Sequence, residues 1–144
     1  MAAGLMNLAD IKETFGFFDS WEDKYRFVID LGKELPDLAE THKIPENLIR
    51  GCQSQVWLVA SYDKTQQQLE LAIDSDAHIV RGLISIVLAA YNLQSPDYIS
   101  QFDIEALFEE LALIQHLSLT RGNGLRAMVA RIQQLAASIG EANL

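Results

Sequence analysis

Residues 69–91, LELAIDSDAHIVRGLISIVLAAY, carry two hydrophobic periods in one stretch of chain. Up to Ile73, apolar residues alternate with less apolar ones, which is the period of a strand with one buried face. From Ile79 onward they recur three and four residues apart and cover nearly the whole circumference of a helix. The stretch therefore predicts a strand followed by a buried central helix, Ala77 to Tyr91, with Asp74-Ser75-Asp76 as its N-terminal cap.

A second strand precedes this one. Residues Gln55 to Tyr62, QVWLVASY, are rich in Val, Trp and Tyr, which favour strands. Asp63 to Gln66 then form the turn of a predicted antiparallel hairpin. Asn47 to Arg50 are a candidate for a short third strand.

Helical patterns lie on both sides of the hairpin, each recognised by apolar spacing and by capping residues. The predicted helices are 8–18, one from the N-cap Ser20 to about Gly32, a short one after Ser95, one capped by Asp103, and a last one from about Asn123 to Ile139 with Gly140 as its C-cap. This order predicts an α+β fold, in which a small antiparallel sheet of two to three strands packs against several helices. A chain of 144 residues fits one domain, here 1–144.

Composition narrows the classes of partner. The formal net charge is −9, so the mean field repels nucleic acid and anionic membrane surfaces. The longest strongly apolar run, Gly82 to Ala90, is less than half of the roughly 20 residues that span a bilayer. Residues 1–8 show no basic region followed by an apolar stretch, and a single cysteine is typical of a reducing compartment. We expect a cytoplasmic protein that binds neither nucleic acid nor membrane.

Cys52 is the only cysteine, and it lies in the polar stretch RGCQSQ, residues 50–55. One thiol cannot form an internal disulfide or a redox pair, and it cannot by itself hold zinc or an iron–sulfur cluster. A nucleophile, a sulfur carrier and an inert packed thiol remain open. His42, His78 and His116 have no Cys or Glu at metal-ligand spacing, so we predict no metal site.

The run Gly51 to Trp57, GCQSQVW, resembles the signature of the SufE family, the sulfur-acceptor partners of cysteine desulfurases. Gln53-Ser54-Gln55 is closer to SufE proper than to the related CsdE branch. Gly122 departs from the pattern, where the family more often has serine. Further matching segments extend over nearly the whole chain in the expected order: 21–25, 31–32, 35–36, 74–76, 79–80, 82–84, 102–103, 115–117, 120–121 and 124–125.

The resemblance implies that Cys52 accepts sulfur from the persulfide of a pyridoxal-phosphate-dependent cysteine desulfurase and stimulates that enzyme. The sulfur would then pass to an iron–sulfur assembly scaffold or another acceptor, and the protein would be an accessory carrier with no cofactor of its own. Arg50, Gly51, Gln53 and Arg121 are the predicted supporting residues for the loop or the partner. Arg50 could stabilise a thiolate, Gly51 permits unusual backbone conformations, and Arg121 is predicted in the turn before the last helix.

Three alternatives stay open at this stage. The protein could be an interaction module that activates the desulfurase by binding alone, with Cys52 dispensable. A cysteine hydrolase would need a histidine base close to Cys52, which only folding could provide. A homodimer through an apolar helix face is also possible.

Overall fold

The computed structural model describes residues 6–142, so most of residues 1–8, where no targeting peptide is predicted, lies outside it. Within that range the chain forms a two-stranded sheet and six α-helices, which confirms the predicted α+β class. None of the described helices is both long enough and apolar enough to cross a bilayer. The elements are α1 Leu8–Phe17, α2 Trp21–Lys33, β1 Val56–Asp63, β2 Gln68–Ser75, α3 His78–Tyr91, α4 Pro96–Gln101, α5 Ile104–Glu110 and α6 Leu119–Ala142.

The two strands form the predicted antiparallel hairpin. Its register pairs Val56 with Ser75 at one end and Asp63 with Gln68 at the other. The Asp63 carboxylate accepts hydrogen bonds from the backbone N–H of Thr65, at 2.9 Å, and of the residue after it. A side chain that satisfies turn N–H groups in this way fixes a tight reversal of the chain.

Short pieces of chain lie along the two outer edges of the hairpin. On the β1 side, the predicted strand Asn47 to Arg50 is wrong, because only a single bridge joins Leu48 to Trp57. A 3₁₀ turn ends at Asn47 and the loop turn begins at Arg50, which leaves too few residues for a strand. On the β2 side, Leu69 makes a bridge to Gln94.

Helices α2 and α3 pack with their backbones in contact. A Cβ atom at Gly82 would lie 1.9 Å from the carbonyl oxygen of Val28, and one at Gly32 would lie 2.8 Å from the Gly82 nitrogen. Only residues without a side chain permit this approach. Apolar residues of α3 are buried along its length, with Ile84 and Val87 fully inaccessible, as predicted for the central helix.

The predicted capping role of Asp74 is wrong. Ala77 occupies the N-cap position of α3 and makes no side-chain capping bond. The Asp74 carboxylate is buried, where it forms an ion pair with Arg81 and accepts a 3.0 Å hydrogen bond from the Leu38 N–H. Arg81 also donates to the Leu35 carbonyl at 2.6 Å, beyond the end of α2. The pair therefore joins β2, α3 and the segment after α2.

Helix α6 is longer than predicted at both ends. It begins at Leu119, not at Asn123, because the Ser118 hydroxyl accepts a hydrogen bond from the Arg121 N–H at 3.2 Å, in the manner of an N-cap. It also continues through Gly140, which was predicted to end it. Glycine inside a helix costs only about 1 kcal/mol relative to alanine, so it does not have to end the helix. Arg121 consequently lies in the first turn of α6.

Candidate functional site: the Cys52 loop

The loop that carries Cys52 begins with an unusual backbone turn at Gly51. Its φ is +93°, in the region that L side chains rarely adopt. A Cβ at this position would also lie 3.4 Å from the Cβ of Ala127 on α6. Glycine is therefore required here by conformation, and the turn brings the next residue against α6.

The Cys52 thiol is half-buried against the backbone of α6. It donates a hydrogen bond to the Gly124 carbonyl oxygen, with 3.5 Å between sulfur and oxygen. A Cβ at Gly124 would lie 3.6 Å from the sulfur, so the missing side chain leaves room beside it. Burial raises the pKa of the Cys52 thiol, because the thiolate loses solvation there. In this conformation burial therefore disfavours the thiolate.

A pocket opens beside the thiol between the loop, α3 and α6. The cavity volume is about 30 Å³, and the wider space around it is open to solvent. Gln53 and Arg121, both predicted as site residues, line this pocket together with Cys52. Sequence reasoning did not identify the remaining lining residues, which are Ser54, Val56, Val80, Leu83, Thr120, Gly124, Leu125 and Met128.

The two predicted arginines lie in different places. Arg121 lines the Cys52 pocket, whereas Arg50 is exposed and lines a neighbouring depression together with Arg131 of α6. Burial is the cause of the raised pKa of Cys52. The thiolate-stabilising role of Arg50 stays a prediction.

The far end of the loop is held by Asp76, which was predicted as a helix cap and is not one. Its carboxylate accepts a 3.1 Å hydrogen bond from the Gln55 N–H, and its own N–H donates to the Gln55 carbonyl at 3.3 Å. The hairpin register predicts that Gln55 and Asp76 lie opposite each other. Since Val56 is paired with Ser75, the next residues outward are Gln55 and Asp76.

Metal binding and cysteine hydrolysis are two other kinds of chemistry to compare with this site. Across residues 6–142, no group of three or more His, Cys, Asp or Glu side chains is arranged to hold a metal ion. All three histidines fall within these residues, and none of them lines the Cys52 pocket. The histidine base that a cysteine hydrolase requires is thus missing from the described pocket.

The sequence is similar to a family associated with iron–sulfur chemistry. The family model described as "SufE: Fe-S metabolism associated domain" matches residues 9–136. An uncharacterized SufE-like protein of Rhizobium etli is 48% identical over 134 residues, which cover 92% of this chain and 90% of that protein. A second such protein, from Rhizobium meliloti, is 46% identical and is covered over 96% of its length.

The fold also has a solved counterpart. The solution structure of a hypothetical protein from Thermus thermophilus matches with a TM-score of 0.71, and the match covers 91% of this chain and 93% of that one. The two sequences are only 15% identical. This likeness shows the fold.

Proposed function

Because the chain belongs to the SufE family, which is associated with iron–sulfur metabolism, we propose that Cys52 accepts sulfur from a pyridoxal-phosphate-dependent cysteine desulfurase. The observation that carries this proposal is the position of the thiol, on a glycine-turned loop beside a pocket. Cys52 then delivers the sulfur to an iron–sulfur assembly scaffold or another acceptor. The protein is a carrier that stimulates its donor by removing the product.

The transfer is a thiol–persulfide exchange at sulfur. The Cys52 thiolate attacks the outer sulfur of the donor persulfide, a Cys52–sulfur bond forms, and the donor's sulfur–sulfur bond breaks. The donor cysteine leaves as a thiolate and takes up a proton, while Cys52 has lost one. One thiol and one persulfide are consumed and one of each is produced, so no external oxidant or reductant is needed.

The resting geometry supports a carrier that reacts only with its partner. The thiolate is the nucleophile, and burial of Cys52 disfavours it in the free protein. Docking then has to break the contact between the sulfur and the Gly124 carbonyl and bring the loop outward. Between transfers, the same half-buried position would shield a persulfide from oxidation.

Intact mass spectrometry tests the proposal directly. After incubation with the desulfurase and free cysteine, we expect the wild-type protein to gain the mass of one sulfur atom and Cys52→Ser to gain none. Desulfurase activity should fall to its unstimulated rate with Cys52→Ser, although the variant still binds. Stimulation that survives this replacement would instead identify an interaction module in which Cys52 is dispensable.

A further inference from the structure

A groove along the outer edge of β2 forms a cavity separate from the site of Cys52. Its volume is about 300 Å³, and the wider space around it is open to solvent. Clefts that bind ligands start at about this size. We call it the edge groove, and the residues that line it are 35–38, 70–73, Leu88 and 92–93. None of them lines the Cys52 pocket.

The backbone of β2 directs unpaired polar groups along this groove. On the edge away from β1, Leu69 is hydrogen-bonded through both its N–H and its carbonyl to residues 93–94, at 2.9 Å each. Every second residue of an antiparallel strand presents its backbone groups to the same edge, so Leu71 and Ile73 face it too. The Asn92 side chain accepts the Leu71 N–H. The Leu71 carbonyl and both backbone groups of Ile73 have no hydrogen-bond partner among the described residues.

These three groups are suited to pairing with another chain. The groove reaches Ile73, although only 2% of this residue's surface is exposed, and backbone groups withdrawn from bulk water are almost always paired in folded proteins. An extended peptide can pair with them as an added strand. One peptide residue exchanges both bonds with Ile73, and the N–H two residues further along reaches the Leu71 carbonyl. Because residues 93–94 occupy the edge beyond Leu71, only a short segment fits.

The two faces of β2 determine which side chains such a segment needs. Leu71 and Ile73 are buried on one face, whereas Glu70 and Ala72 are exposed on the other. Residues directly opposite each other in a sheet place their side chains on the same face. The two peptide residues opposite Leu71 and Ile73 therefore meet the apolar face, and the residue between them lies on the face of Glu70.

The charged residues that line the edge groove are acidic. They are Asp37 and Glu70, and no lysine or arginine lines the described groove. Asp37 is already paired with Arg81 at 3.1 Å, so Glu70 carries the charge that is available to a ligand. Long side chains reach a diagonal neighbour across a sheet. A lysine or arginine in the middle of the bound segment therefore complements Glu70.

We propose that the edge groove binds an extended segment of a partner protein in which one lysine or arginine lies between two apolar residues. Strand pairing at Leu71 and Ile73 supplies the affinity, and the Glu70 carboxylate supplies the preference for a cation. The edge groove and the Cys52 pocket share no residue, so the partner segment stays bound while the thiol reacts. This binding does not depend on the proposed function.

A short synthetic peptide tests the proposal. The probe is an acetylated and amidated serine–valine–lysine–valine–serine peptide, titrated into the isotope-labelled full chain and followed through the backbone amide signals in NMR spectra. We expect a saturable shift of the Ile73 amide with a Kd of about 1 mM. Replacing the peptide's lysine by glutamate should raise the Kd about tenfold. Methylation of both valine nitrogens should raise it at least about tenfold, because it removes N–H groups that pair with the strand.

Glu70→Lys tests the charge preference, and Glu109→Lys is its matched control. Both side chains are exposed and both changes alter the net charge equally, but Glu109 lies on α5 and lines a different depression. We expect Glu70→Lys to raise the Kd of the lysine peptide about tenfold and to lower that of the glutamate peptide, while Glu109→Lys changes either Kd less than about twofold. Glu70→Gln should give an intermediate Kd, and it covers the case in which Glu70→Lys fails to fold.

Three results would each overturn the proposal: an Ile73 amide that does not shift saturably, equal binding of the methylated and unmodified peptides, or equal behaviour of Glu70→Lys and Glu109→Lys. The carrier function is tested separately, because Cys52→Ser should bind the peptide as the wild type does. Gain of sulfur without peptide binding leaves the carrier function standing and removes the edge groove. Peptide binding without gain of sulfur does the reverse.

Discussion

The Cys52 thiol is half-buried, and its burial disfavours the thiolate. Its sulfur is half-buried beside Gly124, and burial raises its pKa. Gly51 supplies the turn that puts it there, through a backbone conformation that other residues adopt only with strain. The position of the loop therefore determines how far the Cys52 thiol is buried and how far its pKa is raised.

Alkylation with iodoacetamide measures this property. Because the folded pKa is raised, the thiolate becomes populated at a higher pH than for an ordinary cysteine, so native Cys52 should react slowly at pH 7. The midpoint of the rate against pH should lie above that of the same protein unfolded in urea. A native midpoint equal to or below the unfolded one would show that burial does not control this thiol.

At the scale of elements, the segment Asp74-Ser75-Asp76 connects the hairpin to the rest of the fold. Asp74 forms a buried ion pair with Arg81, and Asp76 holds Gln55 at the end of the Cys52 loop. This short segment joins β2 to α3. Through Asp76 it also ties the Cys52 loop to the start of α3.

Local patterns predicted the elements well and their long-range contacts poorly. The alternation in β2 and the helical spacing in α3 depend on neighbouring residues, so both were predictable. Asp74 was predicted as a cap because its preference is local, whereas its bond to the Leu38 N–H spans 36 residues. The Cys52 pocket was equally hard to predict from local patterns, since Gly124 lies 72 residues from the thiol that it contacts.

Asp74→Asn tests the energetic importance of the buried pair. Removal of the buried charge leaves Arg81 with the solvent-exposed Asp37 carboxylate and takes one carboxylate from Lys43, so we expect the free energy of unfolding to fall by about 2 kcal/mol. Urea denaturation followed by circular dichroism measures it, with an unchanged m-value. The control is Glu105→Gln, which breaks a solvent-exposed pair with Arg126 and should have a much smaller effect. Equal losses in the two variants would contradict the proposed importance of burial.

The whole molecule is organised around α3. Its N-terminal end follows β2 directly, and its backbone contacts α2 at Gly82. Residues from α1, α2, β2 and the last helix contribute to one apolar core around it, among them Ile11, Val28, Leu69 and Ile132. The Cys52 loop thus lies at the surface of a fold whose apolar core surrounds one helix.

Gly82→Ala probes this central contact. The added methyl group would lie 1.9 Å from the Val28 carbonyl oxygen, so α2 and α3 must separate. We expect a loss of about 3 kcal/mol and a drop in Tm of roughly 10 °C by differential scanning calorimetry. Gly16→Ala is the control, because nothing lies within 4 Å of its added Cβ. That variant should keep or slightly raise the Tm, and a similar drop in both would exclude a steric cause.

The bridge between Leu69 and Gln94 has a consequence for self-association. The outer edge of a strand offers free N–H and carbonyl groups on which a strand of another molecule can align. In β2, Gln94 occupies this edge at Leu69, and the Asn92 side chain accepts the N–H of Leu71 at 2.8 Å. The chain thereby blocks strand addition at these positions from within, which lowers the tendency of the hairpin to seed aggregates when the protein is abundant.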